Sequence, residues 1–523
     1  MTACETYNTI YNPFILRPLS SQWLEIEILP MYPQYCSLIK RLFHVAVVGF
    51  LLVCLAGCPG SRSSSTSAIE KLPLSGIKLT VAVADDPEMA AAITRLQGEW
   101  NLQTGAEVQV LQIAEKDLAN PNSNSTSQSL PADAVLCDPR FIGLTAEKKM
   151  IAPVPASMQK TSQWADIFDL LRQQEVTWGN EVVAVPFGSP VFVVYYRADL
   201  LEQLNRKPPQ TWSEYQELAK LMAGMNQSTT QSPWFGTAEP LGTGWAGLIL
   251  LARAAPYAKH RDNYSTLFNI KTMEPLIAGP PMVRALEELA AAAKLGPPEA
   301  LKSDPAAVRR IFWQGKSGMA ISWPSAADRH SGDKAAAGEQ PQIPVGFVEL
   351  PGSNKVFNIN NQTWETRLED ENTRVPFLSL AGRVGMVSKA SAHQEAAFQL
   401  LFWLNGEQNS LQICPKSPAT TMFRQSHLKQ PMLWVEKAVS PTAAAKYAEL
   451  TAETFRSEQW LALSIPGREE YLAALDDAVQ SAVRGEVSPI DALLKAAERW
   501  RVITEKLGVD KQRAAYLHSL GLE

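Results

Sequence analysis

Two β-rich runs, VVAV at 182–185 and VFVVYY at 191–196, flank the break Pro186-Phe-Gly-Ser-Pro190. Short runs of Val and aromatics bounded by Pro and Gly read as buried strands. The break itself cannot join a ladder, because Pro186 and Pro190 lack the backbone donor and Gly188 permits angles that other residues avoid. A strand that stops, turns through such a break and restarts is how a chain passes from one lobe to another. Beyond Arg197 the pattern turns helical until Pro208-Pro209. Thr211 with Glu214 three residues on has the form of a capping box, and predicts a helix over 212–222.

With 523 residues the chain has material for more than one domain. A net charge of −5 supplies no basic field for nucleic acid, which removes that partner class. The six His residues show no metal-ligand spacing, and no cofactor is expected. Lys40-Arg41 precede an apolar run over 43–57 that ends in Leu55-Ala56-Gly57-Cys58. Its length suits a signal peptide and falls short of the ~20 apolar residues of a spanning helix, the alternative reading. Met31 starts a better signal than Met1, since Glu25 and Glu27 spoil the earlier stretch. SRSSSTS at 61–67 then reads as a flexible tether. Beyond Cys58 only Cys137 and Cys414 remain, and the sequence leaves open whether they form a disulfide or stay as buried thiols.

From residue 77 the order is strand (77–85), helix ended by Gly105, then strand (107–113), a β-α-β unit that predicts parallel pairing. Residues 132–136 form another short buried strand, followed by Cys137-Asp138-Pro139. Ligands of open α/β sheets sit beyond the carboxyl ends of strands, which makes Asp85, Asp86 and Asp138 site candidates; helix capping by the same aspartates is an equally good reading. Gly315-Lys316-Ser317 lacks the glycine a phosphate loop needs at 310, where Arg310 stands, so no nucleotide site is expected. The C-terminal part reads as helices, with Trp500 on an apolar stripe; Trp212, Trp403 and Trp500 are assigned to core.

Taken in order, the lipobox, TGAEVQV, the crossing AVPFGSPVFVVYYRADLLE with PPQTWSEYQELA, the block Phe312-Trp-Gln-Gly-Lys-Ser-Gly-Met-Ala ending in Trp323-Pro324, and Ser388-Lys-Ala-Ser with a helix to Leu404 resemble the extracellular solute-binding proteins of ABC transporters, in the sugar-binding class that includes maltodextrin-binding proteins. The resemblance implies an α/β, two-lobed periplasmic-binding-protein fold of type II, each lobe a mixed sheet flanked by helices, with hinge crossings near Phe187, near Trp323 and after Leu404. It implies a signal peptide over 1–57, a lipidated Cys58 and tether over 58–76, lobe 1 over 77–187 and 325–404, and lobe 2 over 188–324 and 405–523. It also implies a monomer outside the cytoplasm, held to a membrane through Cys58, that closes on a ligand and delivers it to a permease.

A sugar cleft needs aromatic faces for stacking and polar groups for hydroxyls. Trp178, Phe187, Trp234, Trp245 and Trp323 adjoin loops or crossings and are the aromatic candidates, each with a core role as the alternative. Asp86, Asp138 and Arg140 are the polar candidates, followed by Arg468. Rival cargoes are peptides and polyamines, and a sensor role is the rival to transport. The sequence holds no Gly-x-Ser-x-Gly elbow or His-Glu-x-x-His, so an enzyme is not expected. The segment 465–522 extends beyond compact members of the family.

Overall fold

The computed structural model describes residues 72–119, 129–225, 233–329 and 343–522. The signal segment, Cys58 and the SRSSSTS tether lie outside the described residues. Strand β1 (Lys78–Ala84) pairs in parallel with β2 (Glu107–Ile113), from Lys78 opposite Glu107 to Ala84 opposite Ile113. The crossover is the helix Pro87–Thr104, opened by Asp86, whose Oδ1 accepts the Met89 N–H at 3.1 Å, and closed by Gly105 at φ 80°. Only glycine adopts that left-handed angle without strain, so the helix stops there. Strand β3 (Ala134–Cys137), buried throughout, lies parallel to β1 on its other edge.

After a hairpin of β4 (Thr177–Trp178) and β5 (Glu181–Val182), the expected strand break falls between β6 (Val185–Pro186) and β7 (Val193–Arg197). β6 ends the first sheet, ordered β2-β1-β3-β12-β6, whereas β7 is the centre of a second. There it is flanked by β8 (Met319–Ser322) and β9 (Val345–Glu349), both antiparallel to it. A small hairpin of β10 (Lys355–Asn358) and β11 (Thr363–Thr366) follows, and β12 (Val384–Val387) returns to the first sheet, antiparallel between β3 and β6. The first sheet is mixed, as expected; the second is antiparallel in all its described strands.

Helices sheathe both sheets. The helix Trp212–Ala223 carries the full capping box of Thr211 and Glu214. The helix Ala246–Ala258 is buried on every side, which suits its continuous apolar sequence. Gln394–Asn405 covers the first sheet, and Pro441–Thr454 lies on β9. Arg468–Val483 and Pro489–Leu507 pack on one another and on the second-lobe helices.

The lobe boundaries differ from those expected. β9 falls inside 325–404, assigned to lobe 1, yet it fills the open edge of β7, because an apolar VGFVE strand satisfies its backbone there. The return to the first sheet comes only at β12. Residues 407–413, assigned to lobe 2, form a helix against Pro87–Thr104 in the first lobe. Cys137 and Cys414 are both buried free thiols. Trp212 and Trp500 are core, but Trp403 is only half-buried, its ring 5.4 Å from that of Trp100.

Candidate functional site

Because β1 and β3 run side by side in the same direction, their carboxyl ends bring Asp85-Asp86 and Asp138 to one edge of the sheet. Asp86 caps a helix with Oδ1, and its Oδ2 accepts Arg383 Nε at 3.0 Å and Ser417 Oγ at 2.5 Å. Three segments distant in sequence thus converge on one carboxylate. The Asp86 and Arg383 side chains are 1% and 7% exposed, and a charge so enclosed stands only because it is paired. Asp138 opens the turn Pro139–Phe141, its Oδ1 accepting the Arg140 N–H at 2.8 Å. The Arg140 guanidinium pairs with Glu115, lies 3.7 Å from Glu469, and sits 5.0 Å from the centre of the Phe141 ring. Burial raises the Glu115 carboxyl above its ordinary range, against the pull of Arg140. Asp86 and Asp138 both cap helices, and both also face this cluster.

Arg468, just past the turn at Gly467, is buried beside the same cluster. It donates from Nε to Leu463 O at 2.7 Å and from Nη2 to Ser379 O at 2.6 Å. Burial brings its guanidinium down to about 10, opposed by Asp138.

The aromatic side of the site begins where β8 ends. Trp323 donates from Nε1 to Pro418 O at 3.1 Å, and its ring lies 5.6 Å from that of Trp245 and 5.8 Å from that of Phe192. Ser417 holds Asp86 and Pro418 holds Trp323, so two adjacent residues join the ion pair of the first lobe to the aromatic trio of the second. Trp245 is half-buried behind exposed Thr243 and Gly244, which leaves part of its ring accessible.

Asp86, Asp138 and Arg140 therefore come together, as do Trp245 and Trp323. The other aromatic candidates do not join them. Phe187 is wholly enclosed, its ring against Gly385 beneath the helix Gln394–Asn405, because that crossing residue turns into the core. Trp178 is buried, and its indole N–H goes to Glu147 at 2.9 Å. Trp234 donates to Met222 O at 2.7 Å at the end of the helix Trp212–Ala223, apart from the cluster. Arg383, Glu115 and Ser417 escaped sequence reasoning; nothing marks an arginine immediately before β12 or a serine in a loop as partners of a strand-end aspartate. Among the described residues, no three His, Cys, Asp or Glu side chains are grouped to hold a metal ion. Carboxylates, guanidinium groups and hydroxyls beside tilted indole rings can bind a molecule with polar edges and apolar faces.

Comparison with known proteins identifies the family and the fold. The family model for the bacterial extracellular solute-binding protein matches residues 85–410. A probable ABC transporter-binding protein of Deinococcus radiodurans is 25% identical over 268 residues, 48% of this chain and 58% of that relative, so the chain spans little more than half the length of that curated relative. Among solved structures, an ABC-transporter solute-binding protein from Agrobacterium radiobacter in complex with ribitol shares 19% identity at a TM-score of 0.60, over 82% of this chain and 100% of the other. The sugar-binding protein from Xanthomonas citri shares 16% identity at a TM-score of 0.61, over 83% and 99%. The maltose-bound protein from T. maritima shares 19% at 0.58, over 82% and 99%. The shared fold is the two-lobed α/β architecture of type II periplasmic binding proteins.

Proposed function

Since the chain belongs to the bacterial extracellular solute-binding protein family, we propose that it captures a sugar or polyol between its lobes, without chemical conversion, and hands it to an ABC-transporter permease. The observation that carries this reading is the join at Ser417-Pro418, which sets the Asp86–Arg383 pair beside the rings of Trp323 and Trp245. A sugar or polyol presents C–H faces that lie against indole, and hydroxyls that both donate to carboxylates and accept from guanidinium groups. The relatives' bound ribitol and maltose have this chemistry. The site groups are now bonded to each other, so a ligand entering between the lobes exchanges those bonds for its own as the lobes close around it. Anchoring through a lipid on Cys58 keeps the protein at the membrane face where the permease works.

The test is a thermal-shift screen of residues 59–523 against ribitol, mannitol, maltose and longer maltodextrins, with spermidine and a short peptide as controls. A ligand present at a hundred times its dissociation constant stabilises by about 2.7 kcal/mol. Trp245→Ala, at the half-buried ring, should remove that shift while leaving the ligand-free protein folded. A response to spermidine or peptide alone would overturn the carbohydrate reading, and appearance of a reaction product would overturn binding without conversion.

A further inference from the structure

The helix Val509–Ser519 touches both lobes, and it does so with residues two positions apart. Tyr516 faces the second lobe. Its hydroxyl lies 3.0 Å from Ser265 Oγ and accepts the Leu267 N–H at 3.3 Å, and its ring sits 5.2 Å from Phe268, which stacks at 4.9 Å on Trp500. His518 faces the first lobe. Its Nδ1 donates to Glu147 Oε1 at 2.9 Å, the same oxygen that receives the Trp178 indole N–H. Its backbone carbonyl accepts the Gly179 N–H at 3.1 Å, and its ring meets Trp178 edge-on at 6.0 Å. Ser464, earlier in the same C-terminal segment, packs its carbonyl so tightly on Gly143 of the first lobe that a Cβ there would stand 1.9 Å away.

We propose that this helix is a latch: it holds the two lobes at their present separation, and its first-lobe end lets go when the cleft opens. A helix rises about 1.5 Å per residue and is stiff along its axis. Positions 516 and 518 therefore cannot follow two bodies that swing apart by several ångströms, and one set of contacts has to break. The second-lobe end is the firmer. Tyr516 is enclosed, whereas the His518 and Glu147 side chains are 31% and 29% exposed, so water can replace their bond. Trp178, expected from the sequence to touch ligand, is here the first-lobe half of the catch. The latch depends on the two-lobed fold and on no particular cargo.

The experiment measures the distance between nitroxide labels on the exposed positions Leu102→Cys, in the first-lobe helix Pro87–Thr104, and Leu221→Cys, in the second-lobe helix Trp212–Ala223, in residues 59–523 with no sugar added. Cys137 and Cys414 are buried away from the label. The parent should give one narrow distance. H518A should add a longer distance and raise the population beyond the parent's range at least threefold. H518F keeps a ring against Trp178 but lacks the donor, and should give a smaller increase; adding E147A to H518F should change nothing further. Should H518A fail to fold, H518F carries the comparison. Distances unchanged in both variants, or a parent already spread over both distances, would overturn the latch.

Discussion

Glu175 shows how much a single enclosed carboxyl can decide. Its Oε2 accepts Ser189 Oγ at 2.7 Å, from the crossing between the sheets, and its Oε1 accepts the Ser379 N–H at 3.2 Å, from the segment that returns the chain to β12. Ser379 holds the left-handed angle φ 56° that costs a non-glycine residue energy, and the Glu175 and Arg468 bonds on either side of its peptide keep it there. Burial raises the Glu175 carboxyl to about 7; the serine hydrogen bonds oppose the rise and Asp138 adds to it. The folded state then binds the proton more tightly than the unfolded chain. Stability from this group is complete below about pH 4.5 and is lost as pH climbs to about 7, a swing on the order of 3 kcal/mol. Glu175→Gln cannot ionise, so its stability relative to the parent should rise by that order between pH 4.5 and 8, as read by urea unfolding at both pH values. At this scale the position of Asp86, Asp138 and Arg140 beyond strand ends was legible, because a strand end is marked locally. Glu175, Arg383 and Ser417 were not legible, since their partners come from segments far along the chain. Phe187 was misjudged because a residue in a break can turn either way, and here it turns inward.

The chain passes from the first sheet to the second through the crossing 187–192. Gly188 adopts φ 108°, and a Cβ there would approach Thr421 O to 2.7 Å and Thr420 and Phe423 to 3.2 Å. Strain and collision with backbone act together, so Gly188→Val should destabilise by about 2–4 kcal/mol, measured as a lowered denaturation midpoint. Well-signalled elements were legible: Thr211 and Glu214 form their capping box, and the parallel pairing of β1 with β2 follows from the β-α-β order. β9 was harder to place. Its VGFVE sequence announces a strand but not which sheet has a free edge for it.

For the whole molecule, the fold class was legible and the boundaries between lobes were not. Sheet membership is settled by long-range pairing, and the C-terminal segment reaches back to both lobes through Tyr516 and His518. The two thiols left beyond Cys58 follow the same logic. Burial raises both well above the ordinary cysteine range, so neither is a ready nucleophile. Native residues 59–523 should take up no iodoacetamide by mass spectrometry and two equivalents once unfolded, and a reductant should leave the melting temperature where it is. Labelling of the native protein, or a fall in melting temperature on reduction, would contradict this.

β12 lies between β3 and β6, and Val384 pairs with both Cys137 and Pro186. Every described strand of the second sheet precedes β12 in the chain, so the first sheet stays in two pieces until its last member is made. Ribosomes add roughly 5–20 residues per second, which leaves β3 waiting on the order of tens of seconds for that partner. High contact order delays folding further. This wiring leaves the first sheet unfinished, and the chain without its final shape, until synthesis has passed residue 387.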